Sequence, residues 1–101
     1  MELSDYREQI DAIDQALVTL YLRRMEVVDR IAVYKHEKGL PIRDPAREEA
    51  LLDKVAHLAG PEHGDELRAL YTLLLSQSRA RQAHDLGIPP ERDDPHDTDE
   101  A

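Results

Sequence analysis

The sequence predicts an all-α protein with three helices per chain, the first of them much longer than the others. From Ser4 to Glu37 there is neither glycine nor proline, and apolar residues recur every three or four positions, the spacing of one helical face. The 101 residues include no Cys, Trp or Phe and only four Gly, and no strand of useful length is recognisable. The core is therefore expected to consist mainly of Leu, Ile, Val and Ala.

The first helix is predicted to run from about Asp5 to Glu37, with Ser4 as its N-cap and Gly39 ending it. About 33 residues at ~1.5 Å each make a rod of ~50 Å, longer than the diameter of a 100-residue globule. Since one chain cannot cover the apolar stripe of such a rod, we expect an obligate helical dimer or a larger assembly. A helix that kinks or ends near Thr19 is the alternative, but no Pro or Gly favours it.

Two shorter helices are expected after loops that contain Gly and Pro. Asp44 and Pro45 are typical of the N-cap and first turn of a second helix. Its apolar face comprises Leu51, Leu52, Val55 and Leu58. A third helix is predicted from about Asp65 to His84. Its apolar face comprises Leu67, Leu70, Tyr71, Leu74 and Leu75.

The net charge of −9 is distributed unevenly along the chain. Residues 85–101 hold seven acids and one base and show no periodic pattern, so we predict a helical domain at 1–86 followed by an acidic, disordered tail at 87–101. The acidic balance argues against nucleic acid as a partner. No apolar run approaches the ~20 residues of a membrane span, and no signal peptide follows Met1. We therefore expect no membrane contact and a cytoplasmic location.

Seven polar residues occupy helix faces that the apolar pattern predicts to be buried. They are Arg7, Arg24, Lys35, Arg47, Glu48, Ser78 and Gln82. Buried cations are costly unless they meet an anion, and the one acid in this set cannot neutralise four cations. The pattern therefore predicts a pocket for a small anionic ligand, in which the forked guanidinium groups bind carboxylates.

Each of these side chains has a simpler explanation when it is taken alone. An isolated Arg or Lys on an apolar stripe usually extends to solvent, and Arg7 lies only at the edge of the stripe. Ser78 alone is typical of a small residue at a helix contact, and Gln82 alone of a surface position. The set as a whole is what favours the pocket.

The residue types also exclude several kinds of chemistry. There is no Cys, and the five His residues form no paired-ligand motif, so we expect no metal site, no cofactor and no covalent intermediate. What remains is an electrostatic pocket, which stabilises charge that is present or developing in its ligand.

Several motifs resemble, in order and spacing, those of the all-helical (AroQ-type) chorismate mutases. They are Leu3-x-x-Tyr6-Arg7-x-x-Ile10-Asp11, Arg23-Arg24, Ile31-Ala32-x-Tyr34-Lys35, Gly39-Leu40-Pro41-Ile42-x-Asp44-Pro45-x-Arg47-Glu48-Glu49 and Ser78-Arg79-x-x-Gln82. The resemblance covers about residues 3–84. It implies an intertwined homodimer with paired first helices, and the Claisen rearrangement of chorismate to prephenate in the phenylalanine and tyrosine branch.

The resemblance implies that Arg24, Lys35 and Gln82 are the catalytic residues. Lys35 and Gln82 would hydrogen-bond the ether oxygen of chorismate, and Arg24 would bind one carboxylate region from the same subunit. The rearrangement is pericyclic and needs neither acid nor base. Its transition state gathers negative charge on the ether oxygen, so a cation and an amide donor suit it.

The remaining roles implied by the resemblance concern substrate binding. Arg47 would bind a carboxylate, and Arg7 would reach a carboxylate in the site of the partner subunit. Glu48 would hold the ring hydroxyl and Ser78 would support a carboxylate. Asp44 lies at the same junction and would assist, although an N-cap function already explains it.

Two alternatives remain open. Isochorismate pyruvate lyases, which form salicylate, share the fold, but Arg47 followed by Glu48 favours the mutase. The other alternative is a non-catalytic helical interaction module, or a mutase that needs an activating partner.

Overall fold

The structure, a computed structural model, describes residues 1–89 and consists of three helices. They are α1 (Leu3–Lys38), α2 (Pro45–Ala59) and α3 (Gly64–Leu86), and no strand occurs in residues 1–89. The prediction of an all-α chain with a long first helix is confirmed. From residue 90 onward the predicted acidic tail lies outside the described residues. None of the described helices is long and apolar enough to cross a membrane.

Helix α1 begins two residues earlier than the sequence pattern indicated, so the assignment of Ser4 as N-cap was wrong. The N-cap is Glu2, which forms a reciprocal capping box with Asp5. The backbone N–H of Glu2 donates to Oδ2 of Asp5 at 2.7 Å. Because two charged side chains satisfy the free N–H groups, the first turn includes Ser4.

The other predicted helix boundaries agree with the structure to within two residues. Gly39 ends α1 in the left-handed conformation, with φ 68, and the N–H of Leu40 donates to the carbonyl of Lys35 at 2.8 Å. Asp44 caps α2, where its Oδ1 accepts from the N–H of Arg47 at 3.1 Å, and Pro45 is the first helical residue. The short loop 39–44 thereby fixes the direction in which α2 leaves α1.

Helix α3 packs against both other helices and lies between them. Tyr21 Oη donates to Oε1 of Gln77 at 3.1 Å, and a few residues further along both helices Arg81 pairs with Asp29 at 2.7 Å, so α1 and α3 run parallel. Arg68 pairs with Asp53 at 2.7 Å and with Glu49 at 3.1 Å, which joins α3 to α2. The most buried apolar residues are Val28, Ala32, Val55 and Ala83.

Two acids share Arg81 where α1 and α3 meet near the end of α3. The hydrogen bond from Arg81 lowers the pKa of Asp29. Asp85 lies 3.4 Å from Arg81, and a shared hydrogen bond with Asp29 raises the pKa of Asp85. This group of three charged residues joins the C-terminal halves of the two parallel helices.

The N-terminal half of α1 leaves its apolar stripe open. The described stripe residues of this half are more than half exposed: Leu3, Tyr6, Ile10, Ile13, Leu17 and Leu20. The chain measures 56 × 27 × 27 Å, and its radius of gyration of 17.0 Å exceeds the ~13 Å expected for a compact chain of this length. A single chain therefore leaves this stripe uncovered, as the helix length predicted.

On α2 and α3, two leucines that the sequence pattern assigned to apolar faces are exposed in the chain. Leu58 is 73% exposed and Leu70 is 52% exposed. Among the described helices, α2 packs only against α3, so its buried face is narrower than the apolar pattern indicated. Leu70 faces the open groove beside Leu17 on α1.

Candidate active site

A cavity of about 140 Å³ lies where the second half of α1, the start of α2 and the end of α3 come together. All of the predicted site residues except Arg7 line it, together with Arg79, which belongs to one of the recognised motifs but was given no role. The polar residues of the lining are Arg24, Lys35, Asp44, Arg47, Glu48, Ser78, Arg79 and Gln82. Val28, Ile31, Ile42, Leu51 and Leu75 form its apolar walls.

Arg24 and Ser78 join the α1 and α3 walls of the cavity. Arg24 Nη1 donates to Oγ of Ser78 at 2.5 Å, and Oγ in turn donates to the carbonyl of Leu74 at 2.8 Å. Because the hydroxyl proton of Ser78 is directed to Leu74, its oxygen is an acceptor toward Arg24. Ser78 thus orients the guanidinium, which has further N–H groups for a ligand.

Lys35 reaches the cavity from the last turn of α1. Its Nζ donates to the carbonyl of Ile42 at 2.6 Å, so the loop 39–44 holds the ammonium in place. The sequence could not indicate this contact, because it involves a backbone carbonyl rather than a side chain. An ammonium has three donor hydrogens, so this bond leaves donor capacity for a ligand.

Gln82 lies on the α3 wall and is only 6% exposed. Within the described residues its buried Oε1 has no hydrogen-bond partner. Leaving a buried polar atom unsatisfied costs about 1–3 kcal/mol, so a hydrogen bond to Oε1 would be favourable. Rotating the amide by 180° exchanges its oxygen for its NH₂ group, so the side chain can also present a donor.

Glu48 lies in the first turn of α2 and is held by two guanidinium groups. Arg79 Nη1 donates to Oε1 of Glu48 at 2.7 Å, and Arg43 Nε lies 4.0 Å from the same oxygen. Arg79 was not among the predicted site residues, although it follows Leu75 by four positions and precedes Gln82 by three. That spacing places it on the buried face of α3, where it is 8% exposed.

The lining of the cavity carries more positive than negative charge. Its cations are Arg24, Lys35, Arg47 and Arg79, and its acids are Asp44 and Glu48. Four cations against two carboxylates leave an excess of two positive charges. Such a site suits a dianion, and the guanidinium groups suit carboxylates in particular.

Arg7 lies far from the cavity of its own chain. Seventeen residues of α1 separate it from Arg24, a distance of about 26 Å along the helix axis. Arg7 lies in the exposed N-terminal half of α1 and is itself exposed. Within one chain it therefore takes no part in the site.

The described residues contain no group of three or more His, Cys, Asp or Glu side chains that could hold a metal ion. The cavity is built instead from guanidinium, ammonium, amide, hydroxyl and carboxylate groups. Such a set can bind an anion, fix its conformation and stabilise developing negative charge by hydrogen bonds.

Residues 6–83 match the family described as chorismate mutase type II. The chain is 29% identical over 83 residues to the chorismate mutase of Methanocaldococcus jannaschii. This alignment covers 80% of this chain and 84% of that protein. The chain is 33% identical over 78 residues to the 4-amino-4-deoxychorismate mutase of Streptomyces venezuelae, covering 75% of this chain and 76% of that protein. No solved structure matches the chain significantly.

Longer proteins are also similar to parts of the chain. The T-protein of Haemophilus influenzae is 44% identical over 50 residues, which is 50% of this chain and 13% of that protein. The alignment with the T-protein of Enterobacter agglomerans covers 89% of this chain and 18% of that protein. The chain thus spans less than a fifth of the length of these two relatives. The family match extends over most of the chain and confirms the resemblance inferred from the motifs: the chain belongs to the chorismate mutase type II family.

Proposed function

We propose that this chain is an enzyme that rearranges chorismate to prephenate, in the branch toward phenylalanine and tyrosine. The observation that carries the proposal is the charge of the cavity, where four cations face two acids. Chorismate is a dicarboxylate, so its charge matches this excess. The similarity to the chorismate mutase of Methanocaldococcus jannaschii, over most of both chains, supports the same reaction.

In the proposed reaction the site first selects the reactive conformer of the substrate. Arg24, held by Ser78, and Arg47 on α2 each bind a carboxylate region. Fixing both carboxylates brings together the two carbon atoms that will bond, and restricting a flexible substrate in this way lowers the entropic part of the barrier. The carbon–carbon bond forms as the carbon–oxygen bond of the ether breaks, so no proton leaves or enters.

Lys35 and Gln82 then act on the ether oxygen, where negative charge develops. The ammonium of Lys35 is held beside the cavity by the Ile42 carbonyl, and the buried amide of Gln82 lies on the α3 wall. Donors that are already in place stabilise this charge without reorganisation during the reaction. Glu48 accepts a hydrogen bond from the ring hydroxyl, and Asp44 supports the junction of loop and helix from which Arg47 projects.

The proposal includes an intertwined homodimer in which Arg7 completes the partner's site. The open apolar stripe of α1 supports a dimer, because burying it would contribute roughly 25 cal/mol for each Å² removed from water. An arginine about 26 Å from its own cavity can act only in another chain's site. The substrate carboxylates thereby gain a further cation.

A cytoplasmic location is also part of the proposal.

The direct test is turnover by the purified chain. We expect chorismate to be consumed and prephenate to form in equal amounts without any added cofactor or partner protein. Isochorismate offered under the same conditions should release no pyruvate. Pyruvate from isochorismate without prephenate from chorismate would assign the chain to the lyases, and no turnover of either would favour an interaction module.

The pH dependence of activity tests the role of Gln82. An amide donates at any ordinary pH, so the wild-type chain should show no optimum below pH 5. In Gln82→Glu the side chain has an ordinary pKa of about 4.3 and is ionised at pH 7, where it repels the developing charge. We expect the variant to lose on the order of 100-fold in kcat at pH 7 and to recover activity as the pH falls and the carboxyl gains a proton.

Gln77→Glu is the matched control for this pH experiment. Gln77 lies on the same helix but is exposed and bonded to Tyr21. Its substitution should leave the pH profile unchanged. A Gln82→Glu profile that follows the wild-type curve would remove Gln82 from the role of donor.

A further inference from the structure

Glu48 and Arg79 form a buried ion pair, and the proposed reaction assigns no role to Arg79. Arg79 Nη1 lies 2.7 Å from Oε1 of Glu48, and the two side chains are only 9% and 15% exposed. Both residues line the candidate site. Both also line a second cavity of about 210 Å³, so the pair forms part of the wall between the two cavities.

A second cation approaches the same carboxylate from the side of the second cavity. Arg43 lines that cavity but not the candidate site, and its Nε lies 4.0 Å from Oε1 of Glu48. The negative charge of Glu48 is therefore balanced from within the protein. A carboxylate has about four lone-pair positions, so the pairing leaves it able to accept a hydrogen bond from a ligand.

We propose that Arg79 is a positioning residue that sets substrate specificity: by neutralising Glu48, it makes the site prefer a neutral hydroxyl over an ammonium group on the substrate ring. The inference rests on the proposed function, in which Glu48 meets the ring hydroxyl of chorismate. The hydroxyl and the amine are the relevant alternatives, because one relative is named a chorismate mutase and another a 4-amino-4-deoxychorismate mutase.

The two substrates differ in charge at the ring position that Glu48 meets. A hydroxyl is neutral and needs only an acceptor, which the paired carboxylate still provides. An alkylamine at pH 7 is mainly an ammonium ion, like the side chain of lysine. At Glu48 it would meet a carboxylate whose charge Arg79 and Arg43 already balance. Its charge would also reduce the ligand to a net −1, so the ligand would balance less of the excess positive charge of the site.

The experiment compares kcat/KM for chorismate and for 4-amino-4-deoxychorismate in the wild-type chain and in Arg79→Gln. Glutamine keeps a hydrogen-bond donor but removes the cation. We expect the ratio of the two values to shift toward the amine by about tenfold or more, because the ammonium then meets a Glu48 carboxylate that has lost its nearer cation. Arg79→Lys, which keeps the charge, should restore a ratio close to that of the wild type.

Arg68→Gln is the matched control for a loss of packing between α2 and α3. Arg68 also projects from α3 to pair with acids on α2, but it does not line either cavity. Its substitution should leave the ratio unchanged. In the double variant Arg79→Gln with Glu48→Gln, the gain for the amine should disappear, because the carboxylate that attracts the ammonium is gone.

If Arg79→Gln lowers kcat/KM equally for both substrates, the proposal is overturned and Arg79 has a structural role alone. If Arg79→Gln does not fold, Arg43→Gln decides, since Arg43 is exposed: a shift toward the amine supports the proposal, and an unchanged ratio contradicts it. A wild-type chain that turns over neither compound contradicts the proposed function only. Equilibrium binding of the two compounds to the same variants then measures the preference directly.

Discussion

Replacing Lys35 with alanine is expected to lower kcat for chorismate by about two to three orders of magnitude, on the order of 3–4 kcal/mol in the barrier. The ammonium stabilises charge that develops on the ether oxygen only as the bond breaks. A contact made in the transition state alone lowers kcat more than it raises KM. Steady-state kinetics of chorismate consumption measure both parameters.

The matched control for this variant is Lys38→Ala. Lys38 is in the same last turn of α1, but its Nζ lies 5.8 Å from the ring centre of Tyr34 and it does not line the cavity. Its kinetics should equal those of the wild type. Lys35 also holds the Ile42 carbonyl, so thermal unfolding must be compared as well. A well-folded Lys35→Ala chain within tenfold of wild-type kcat would contradict an electrostatic role for the ammonium.

Much of this site could be predicted from the sequence, because helical periodicity relates residue spacing to helix faces. Arg24 and Lys35 interrupt an apolar stripe at stripe positions, and Ser78 and Gln82 continue the leucine face of α3. The structure brings these four side chains to one cavity. Their spacing in the sequence was enough to predict that they share a face, since residues three or four apart lie on the same side of a helix whatever the tertiary contacts.

The remaining features depend on contacts that spacing does not encode. The helical position of Arg79 is compatible with burial, but its partner Glu48 lies 31 residues earlier on another helix, so the sequence did not indicate the ion pair. Leu58 was assigned to a buried face, but within residues 1–89 α2 has a single helical neighbour, so periodicity overstated the burial of Leu58. The N-cap at Glu2 depends on a charged capping box, which a search for Ser or Thr does not find.

Removing the guanidinium of Arg7 is expected to lower kcat/KM for chorismate by at least about 30-fold, since a charged pair with a carboxylate is lost. The substitution should leave thermal stability nearly unchanged, because Arg7 is exposed in the chain. Arg30→Ala is the control, as Arg30 is an exposed arginine of the same helix that does not line the cavity. If Arg7→Ala has wild-type kinetics, Arg7 of a second chain does not contribute to the site.

The central claim is that each electrostatic site is built from two chains, with Lys35 from one and Arg7 from the other. Heterodimers of Arg7→Ala and Lys35→Ala chains, purified through two different tags, test it most directly. One of the two sites then combines the intact Lys35 with the intact Arg7, while the other site lacks both. The account predicts about half of the wild-type activity per dimer from two nearly inactive parents. Heterodimers as inactive as both parents would contradict it.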